Sequence, residues 1–127
     1  MSPLEPESFV PLLERIRDIL LKHEFLAQAT VVADLIDVAH LEADTFVERL
    51  GGGSVWGSAG SVVDIVDLRR TLEPVDADTE KDSLELIHAL IRLSDQMRAQ
   101  GIASEGSEFV GSAFRSGQEV LRREQES

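Results

Sequence analysis

Apolar residues recur every three or four positions along most of the chain, a spacing that places them on one face of an α-helix. The clearest case predicts a helix over 8–22, with an apolar stripe formed by Phe9, Leu12, Leu13, Ile16, Ile19 and Leu20. Ser8 precedes this stripe and is predicted to cap the helix. Pro11 falls in the first turn, where a missing backbone N–H is tolerated.

Two more helices are predicted over 25–39 and 42–50. The apolar residues of the first are Leu26, Ala29, Val31, Val32, Ala33, Leu35, Ile36, Val38 and Ala39. So wide a stripe predicts a central helix that is buried on more than one side. Phe46, Val47 and Leu50 would face inward from the second helix, and Gly51 is a natural end for it.

The second half of the chain predicts two long helices. The first spans about 79–100, with Thr79 as its cap and Gly101 as its end. It has two apolar stripes, one of Leu84, Ile87, His88 and Ile91 and the other of Leu86, Leu90, Leu93 and Met97. The second spans about 104–124, and its predicted inward residues are Phe109, Val110, Ala113, Phe114, Val120 and Leu121. Glycines at 106, 111 and 117 either weaken this last helix or allow another helix to approach closely.

Between these halves the periodicity breaks over Gly51–Gly60, which is predicted to be a loop rich in Gly with one Trp. The next segment, 61–68, is ambiguous because its β-branched residues favour an extended strand, whereas Ser61 and Asp64 have a capping-box spacing. Residues 69–78 are predicted to be a loop. The fold class predicted is therefore all-α: a compact bundle of four or five helices, with one Gly/Trp-rich loop and a possible short extended segment. We expect one domain over 1–127, with 1–7 as a frayed lead-in.

The run Trp56-Gly57-Ser58-Ala59-Gly60-Ser61-Val62-Val63-Asp64 contains the most distinctive motif of the chain. It resembles a Trp-Gly-Gly-Ala-Gly-Ser-x-x-Asp signature of a family of small bacterial helical proteins to which no activity is attached. Ser58 stands where that signature has its second Gly. The resemblance implies two or three helices, this loop, and then two helices, and it implies no function.

Trp56 has two physical interpretations. It can fill the core while the glycines around it form turns, with Ser61 and Asp64 bonding loose backbone N–H groups. Alternatively, Trp56 and its loop form a binding edge where Asp64 and Asp67 face a partner, because Trp is a frequent interface anchor.

The net charge is −12, from 12 basic and 24 acidic side chains, and it is spread along the chain. Such a domain repels nucleic-acid phosphates and anionic membrane surfaces, so neither is an expected partner. Attraction to a basic protein is allowed and would speed association. The simpler interpretation is that the charge only keeps the protein soluble.

Nothing in the sequence has the pattern of a known catalytic or cofactor site. There is no Cys, which excludes disulfides and thiolate chemistry. Gly52 and Gly57 have the spacing of a phosphate-binding loop, but Ser58 occupies the position that requires Lys. The three histidines, His23, His40 and His88, lack a second His at helical spacing. We therefore expect no enzymatic activity, no cofactor and no metal.

The function predicted is a non-enzymatic protein-interaction domain, and the more specific hypothesis is an immunity- or antitoxin-like protein that neutralises a basic bacterial toxin. The candidate partner-binding residues are Trp56, Asp34, Asp37, Asp44, Asp64 and Asp67. The alternative is a regulatory or structural protein that acts as a homodimer through spare apolar helix faces. A third class, an enzyme, would need Ser58, Ser61 and His40 to converge. The acidic start of the chain lacks a signal-peptide pattern, so we expect a cytoplasmic location.

Overall fold

The computed structural model describes residues 5–57, 61–63 and 77–126, with side chains as far as residue 116. These residues form helices and no strand: α1 (Val10–Lys22), α2 (Leu26–Leu41), α3 (Ala43–Leu50), α4 (Gly53–Trp56), α5 (Ala77–Ala99) and α6 (Glu105–Glu126), with a 3₁₀ turn over Pro6–Phe9. Five of these helices have eight or more residues. The predicted all-α bundle is confirmed.

Helix α1 lies at the centre of the bundle, because it packs against both α2 and α5. The main neighbours of α2 are α1, α3 and the 3₁₀ turn, which all lie to its inner side. The prediction that α2 is central is therefore wrong. Its outward side remains exposed, and Leu26, which was predicted to point inward, is 63% exposed.

The core is mostly aliphatic, but it also contains two phenylalanines in contact. Phe9 from the 3₁₀ turn and Phe46 from α3 are fully buried, and their tilted rings lie 5.5 Å apart between centroids. This aromatic pair links the start of the chain to α3.

Helix starts differ from the prediction at two positions. Ser8 lies inside the 3₁₀ turn and donates its hydroxyl to the carbonyl of Glu5 at 2.6 Å, so it does not cap α1. Thr79 is buried in the first turn of α5 and is not its cap. The lead-in is also more ordered than predicted at its last residues, since the backbone N–H of Glu5 donates to Oε1 of Gln100 at 3.0 Å.

The end of α5 at Gly101 is confirmed, and its geometry explains why Gly stands there. Gly101 has φ +74°, in the left-handed region that favours glycine. Its N–H donates to the carbonyl of Arg98 at 3.1 Å, and the N–H of Ile102 donates to that of Met97 at 2.9 Å. These two bonds form a Schellman motif, which turns the chain back towards α6.

Helix α6 packs closely against its neighbours through small residues, as one of the two interpretations of its glycines predicts. A Cβ on Gly106 would lie 2.9 Å from Cβ of Trp56, and a Cβ on Gly111 would lie 2.8 Å from Cβ of Ser94. The hydroxyl of Ser94 donates to the carbonyl of Ser107 at 2.9 Å across this contact.

That contact also sets which side of α6 faces inward. Val110 and Phe114 pack against the core as predicted. Phe109 and Ala113 were predicted to do so as well, but both are exposed, because Gly106 faces Trp56 of α4 and Ser107 and Gly111 face α5 at Ser94. The side chains of Val120 and Leu121 lie outside the described residues.

The segment after the Gly-rich stretch is described only over 61–63. Val62 and Val63 are buried, and the N–H of Val62 donates to the carbonyl of Ser54 at 3.0 Å. Residues 64–68 of the ambiguous segment and residues 69–76 of the predicted loop 69–78 lie outside the described residues. The last two residues of that predicted loop, 77 and 78, belong instead to the first turn of α5. No helix in the described part of the chain is both long and apolar enough to cross a bilayer.

Candidate functional site

Trp56 ends the one-turn helix α4 and fills the core. It is 4% exposed, and its indole N–H donates to the carbonyl of Leu50 at 2.8 Å. The backbone of α6 covers it at Gly106. This burial agrees with the first interpretation of Trp56, and it corrects the alternative in which Trp56 forms an exposed binding edge.

The predicted aspartates separate into two groups. Asp34 and Asp37 lie on α2 and Asp44 lies in the first turn of α3, and all three are exposed. Asp64 and Asp67 lie outside the described residues, so their positions relative to the other three are not described.

Five carboxylates lie on α2, on α3 and at their junction, and we call this set the α2–α3 acidic surface. Its members are Asp34, Asp37, Glu42, Asp44 and Glu48. None of the five forms an ion pair or a side-chain hydrogen bond within the part of the chain that the structure describes. Arg49 is the sole Lys or Arg between residues 25 and 50. The surface therefore carries an excess of negative charge that the fold itself leaves unneutralised.

Carboxylates on the other helices are partly neutralised by cations. Arg15 of α1 contacts Glu85 of α5 at 2.5 Å, and Arg98 of α5 donates to both carboxylate oxygens of Glu108 on α6, at 2.9 and 2.6 Å. Arg115 of α6 pairs with Asp95 of α5. These contacts join α1 to α5 and α5 to α6, whereas within residues 5–57, 61–63 and 77–116 no such pair neutralises the α2–α3 acidic surface.

Two grooves flank this surface. One, of about 360 Å³, lies between α2 and the start of α4, and its charged lining residues are Asp34, Glu48 and Arg49. The other, of about 650 Å³, lies where the 3₁₀ turn meets the end of α2, and its charged or ionisable lining residues are Glu5, Glu7, His40 and Glu42. Both grooves are therefore predominantly acidic, and they can accept cationic side chains.

Two of the histidines, His23 and His40, lie close to carboxylates from other parts of the fold. Nε2 of His23 lies 2.8 Å from Oδ2 of Asp82, with only 10% and 9% of the two side chains exposed. Nζ of Lys22 reaches the same oxygen at 2.8 Å and Asp78 at 2.6 Å, so the cluster joins the end of α1 to the start of α5. His40 is half exposed, with Nδ1 3.5 Å from Oε1 of Glu7.

Asp82 holds this cluster together electrostatically. Burial alone would raise the pKa of Asp82, but hydrogen bonds from Lys22 and His23 outweigh burial and place the pKa below its ordinary value. The ionised form is therefore favoured by folding. Its contribution to stability is complete above the unfolded-state pKa of about 4 and is lost as the pH falls towards the folded-state value.

We expect Asp82→Asn to reduce the free energy of unfolding at pH 7 by about 1–3 kcal/mol, because it weakens charge-assisted hydrogen bonds to a buried group. The difference from the wild type should shrink as the pH falls below about 4, where the wild-type carboxylate becomes protonated. Urea unfolding at several pH values measures this. Asp78→Asn is the matched control, since Asp78 is 62% exposed and its bond to Lys22 is worth little. If the free energies of unfolding of the wild type and Asp82→Asn differed by the same amount at every pH, the ionised carboxylate of Asp82 would not be the source of the stability.

The residues of the hypothetical enzyme do not form a described catalytic group. The hydroxyl of Ser61 is buried and donates to the carbonyl of Gly57 at 3.0 Å, while Ser58 lies outside the described residues. In the part of the chain that the structure describes, no group of three or more His, Asp or Glu side chains has the arrangement of a metal site.

Two features of the surface were missed by the sequence prediction. Leu41 is 82% exposed at the end of α2, and Phe109 is 78% exposed on α6. Glu42 and Glu48 were not singled out, although the sequence already shows five acidic residues against one basic residue in 25–50. That local excess was the available signal for them.

Comparisons with known proteins give no match to a protein-family model, to a curated protein or to a solved structure. The resemblance of Trp56–Asp64 to a family signature therefore stays a prediction.

Proposed function

We propose that this chain is a non-enzymatic protein-binding domain whose α2–α3 acidic surface binds a basic protein. One observation carries the proposal: five exposed carboxylates lie on α2, on α3 and at their junction without an ion pair in the described residues, whereas several carboxylates of α5 and α6 pair with cations. An unneutralised acidic patch raises the rate at which a cationic partner is encountered, and it disfavours anionic partners.

The more specific form of the proposal is an immunity- or antitoxin-like protein that acts in the cytoplasm and neutralises a basic toxin. Small size, a net charge of −12 and the lack of a catalytic sequence motif support it. Such a protein needs only to cover its partner, so a rigid helical bundle with one charged surface is sufficient for this role.

A homodimer is the second candidate function, and exposed Phe109 favours it. Phe109 borders a shallow depression on α6 formed with Ser112, Ala113 and Ser116, and small side chains there would allow a second helix to approach. Against it, two copies at −12 repel each other. Light scattering separates the candidates, since a mass that stays at 14.0 kDa at high concentration rules out the dimer.

The test is affinity capture from a lysate of the source cells with three forms of the chain. One is the wild type, and the second is the triple variant Asp34→Asn, Asp37→Asn and Asp44→Asn. The third is a control with the same loss of charge elsewhere, Glu14→Gln, Glu24→Gln and Glu105→Gln. Glu105 matches Asp44, because each lies in the first turn of a helix, where loss of an acidic residue costs about 0.3–1 kcal/mol.

We expect the wild type and the control to retain the same basic protein, and the triple aspartate variant to lose it. Raising the salt concentration should release it as well, because exposed charges are screened beyond about 8 Å at physiological ionic strength. The proposal fails if no basic protein is retained, or if the two variants lose it equally.

A further inference from the structure

The outward side of α2 has a specific pattern of apolar and acidic residues. Successive residues of a helix are rotated by about 100° around its axis, so five residues of α2 fall within an arc of about 80° on one side: Leu26, Thr30, Asp34, Asp37 and Leu41. All five are exposed, and we call this stripe the outer face of α2. The two leucines lie at its ends, about 22 Å apart along the helix axis, and both aspartates lie between them.

The exposure of these leucines is unusual within this fold. Leu26 is 63% and Leu41 is 82% exposed, whereas the exposed leucines of α1 and α5, Leu21 and Leu84, are 47% and 45% exposed. The neighbours of α2 all pack on its inner side, so no described element covers the outer face. The outer face therefore offers a partner two large apolar side chains, one at each end, with two carboxylates between them.

The charge of the outer face restricts what can cover it. Two carboxylates between the leucines, with Glu42 and Asp44 immediately beyond Leu41, repel an acidic surface. A second copy of this chain is acidic throughout, so it is a poor occupant. A cationic segment with apolar residues is complementary in both respects.

The shape of the face indicates the secondary structure of the occupant. It is a straight ridge about 22 Å long, and a helix that crosses it at a shallow angle can contact both ends at once. Two grooves adjoin this face. The one beside Asp34 is lined by two carboxylates and Arg49, and the one at the Leu41 end is lined by Glu7 and Glu42, so long cationic side chains of such a helix have acidic groups within reach.

We propose that the outer face of α2 docks a single cationic amphipathic helix of the partner, with apolar residues on Leu26 and Leu41 and Lys or Arg side chains between them. This inference rests on the proposed function and specifies how its partner binds. The partner is expected to bind as a helix that makes two apolar contacts, whereas a purely electrostatic association would need neither a helix nor those contacts.

The test uses a fluorescein-labelled synthetic peptide of about 18 residues, long enough to span about 22 Å as a helix. It is Ala-rich, with Leu near both ends and Lys between them on one helical face. A scrambled peptide of the same composition has the same charge but no such face. Fluorescence anisotropy gives the dissociation constant of each peptide for each form of the full chain.

Leu26→Ser with Leu41→Ser should weaken binding of the amphipathic peptide at least tenfold, because two large apolar contacts are lost. The matched control is Leu21→Ser with Leu84→Ser, which makes the same chemical change on other helices and should alter the constant less than about twofold. The scrambled peptide should bind more weakly than the amphipathic one to the wild type.

The outcomes separate this inference from the function on which it rests. If the triple aspartate variant loses the peptide while the Leu26/Leu41 variant retains it, the acidic surface binds cations but the helix-docking model is wrong. If neither variant weakens binding, both proposals are wrong. Equal binding of the two peptides also contradicts docking of a helix.

Discussion

Replacing Trp56 with Ala should lower the free energy of unfolding by about 3–5 kcal/mol, the range for removing a large buried aromatic side chain. Trp56 is 4% exposed, and its indole N–H satisfies the carbonyl of Leu50 at the end of α3. The variant would leave a cavity beneath Gly106 of α6 and an unpaired carbonyl. For a chain of this size, we expect a fall in Tm of about 10–20 °C.

Thermal unfolding followed by circular dichroism measures this effect. Phe109→Ala is the matched aromatic control, because Phe109 is 78% exposed and its loss should change stability by no more than about 0.5 kcal/mol. The Tm of Trp56→Phe should lie between those of Trp56→Ala and Phe109→Ala, because Phe keeps an aromatic ring in the core but lacks the indole N–H. A Tm for Trp56→Ala within about 2 °C of the wild type would contradict the core position of this residue.

Replacing Gly111 with Leu should destabilise the protein by about 3 kcal/mol, at the upper end of the range for overpacking. The first added atom, Cβ, would lie 2.8 Å from Cβ of Ser94 and closer still to its Oγ. Ser94 cannot simply turn away, because its hydroxyl donates to the carbonyl of Ser107 inside the same contact. Helices α5 and α6 would have to separate.

The smaller change Gly111→Ala makes this explanation testable in isolation. In the wild type, the clash opposes the gain of about 1 kcal/mol in helix propensity. The Ser94→Gly variant removes the clash. In that variant, Gly111→Ala should therefore change the free energy of unfolding more favourably than it does in the wild type, by at least about 1 kcal/mol. Gly53→Ala is the control, because a Cβ there meets nothing within 4 Å. Additive effects of the two substitutions in urea unfolding would disprove the close contact.

The sequence was sufficient to predict most helices, because their apolar stripes have a clear period. The stripe of α1 is buried as predicted, with Leu13 and Ile16 each 1% exposed, and of the two stripes predicted for α5 the one that contains Leu90 and Leu93 is buried, while Leu84 of the other is 45% exposed. Helix ends marked by Gly were predicted well, since Gly101 adopts a left-handed conformation that few other residues accept.

The inward sides of α2 and α6 were harder to predict, and the reason differs between them. Helix α2 has apolar residues around most of its circumference, so its pattern alone does not show which side packs against α1, α3 and the 3₁₀ turn. In α6 the buried side is formed by small residues such as Ser107 and Gly111, which a search for large apolar residues ranks below Phe109. Close packing of helices overrode side-chain hydrophobicity there.

The candidate site was predictable only in part. Asp34, Asp37 and Asp44 were predicted as exposed acidic residues, and their exposure agrees with the structure. Which carboxylates remain unpaired could not be predicted, because the neutralising contacts join distant parts of the chain, as Arg15 does with Glu85. The exposure of Leu41 likewise depends on which helices pack against α2.

The most direct test of the central claim is the response of the backbone amides to a cationic amphipathic peptide, measured by two-dimensional ¹H–¹⁵N NMR. We predict that the chemical-shift changes concentrate in Leu26–Leu50, the segment that contains the outer face of α2 and the acidic surface. Changes concentrated on α5 and α6, or small changes spread evenly over the chain, would contradict the claim that α2 and α3 form the binding surface.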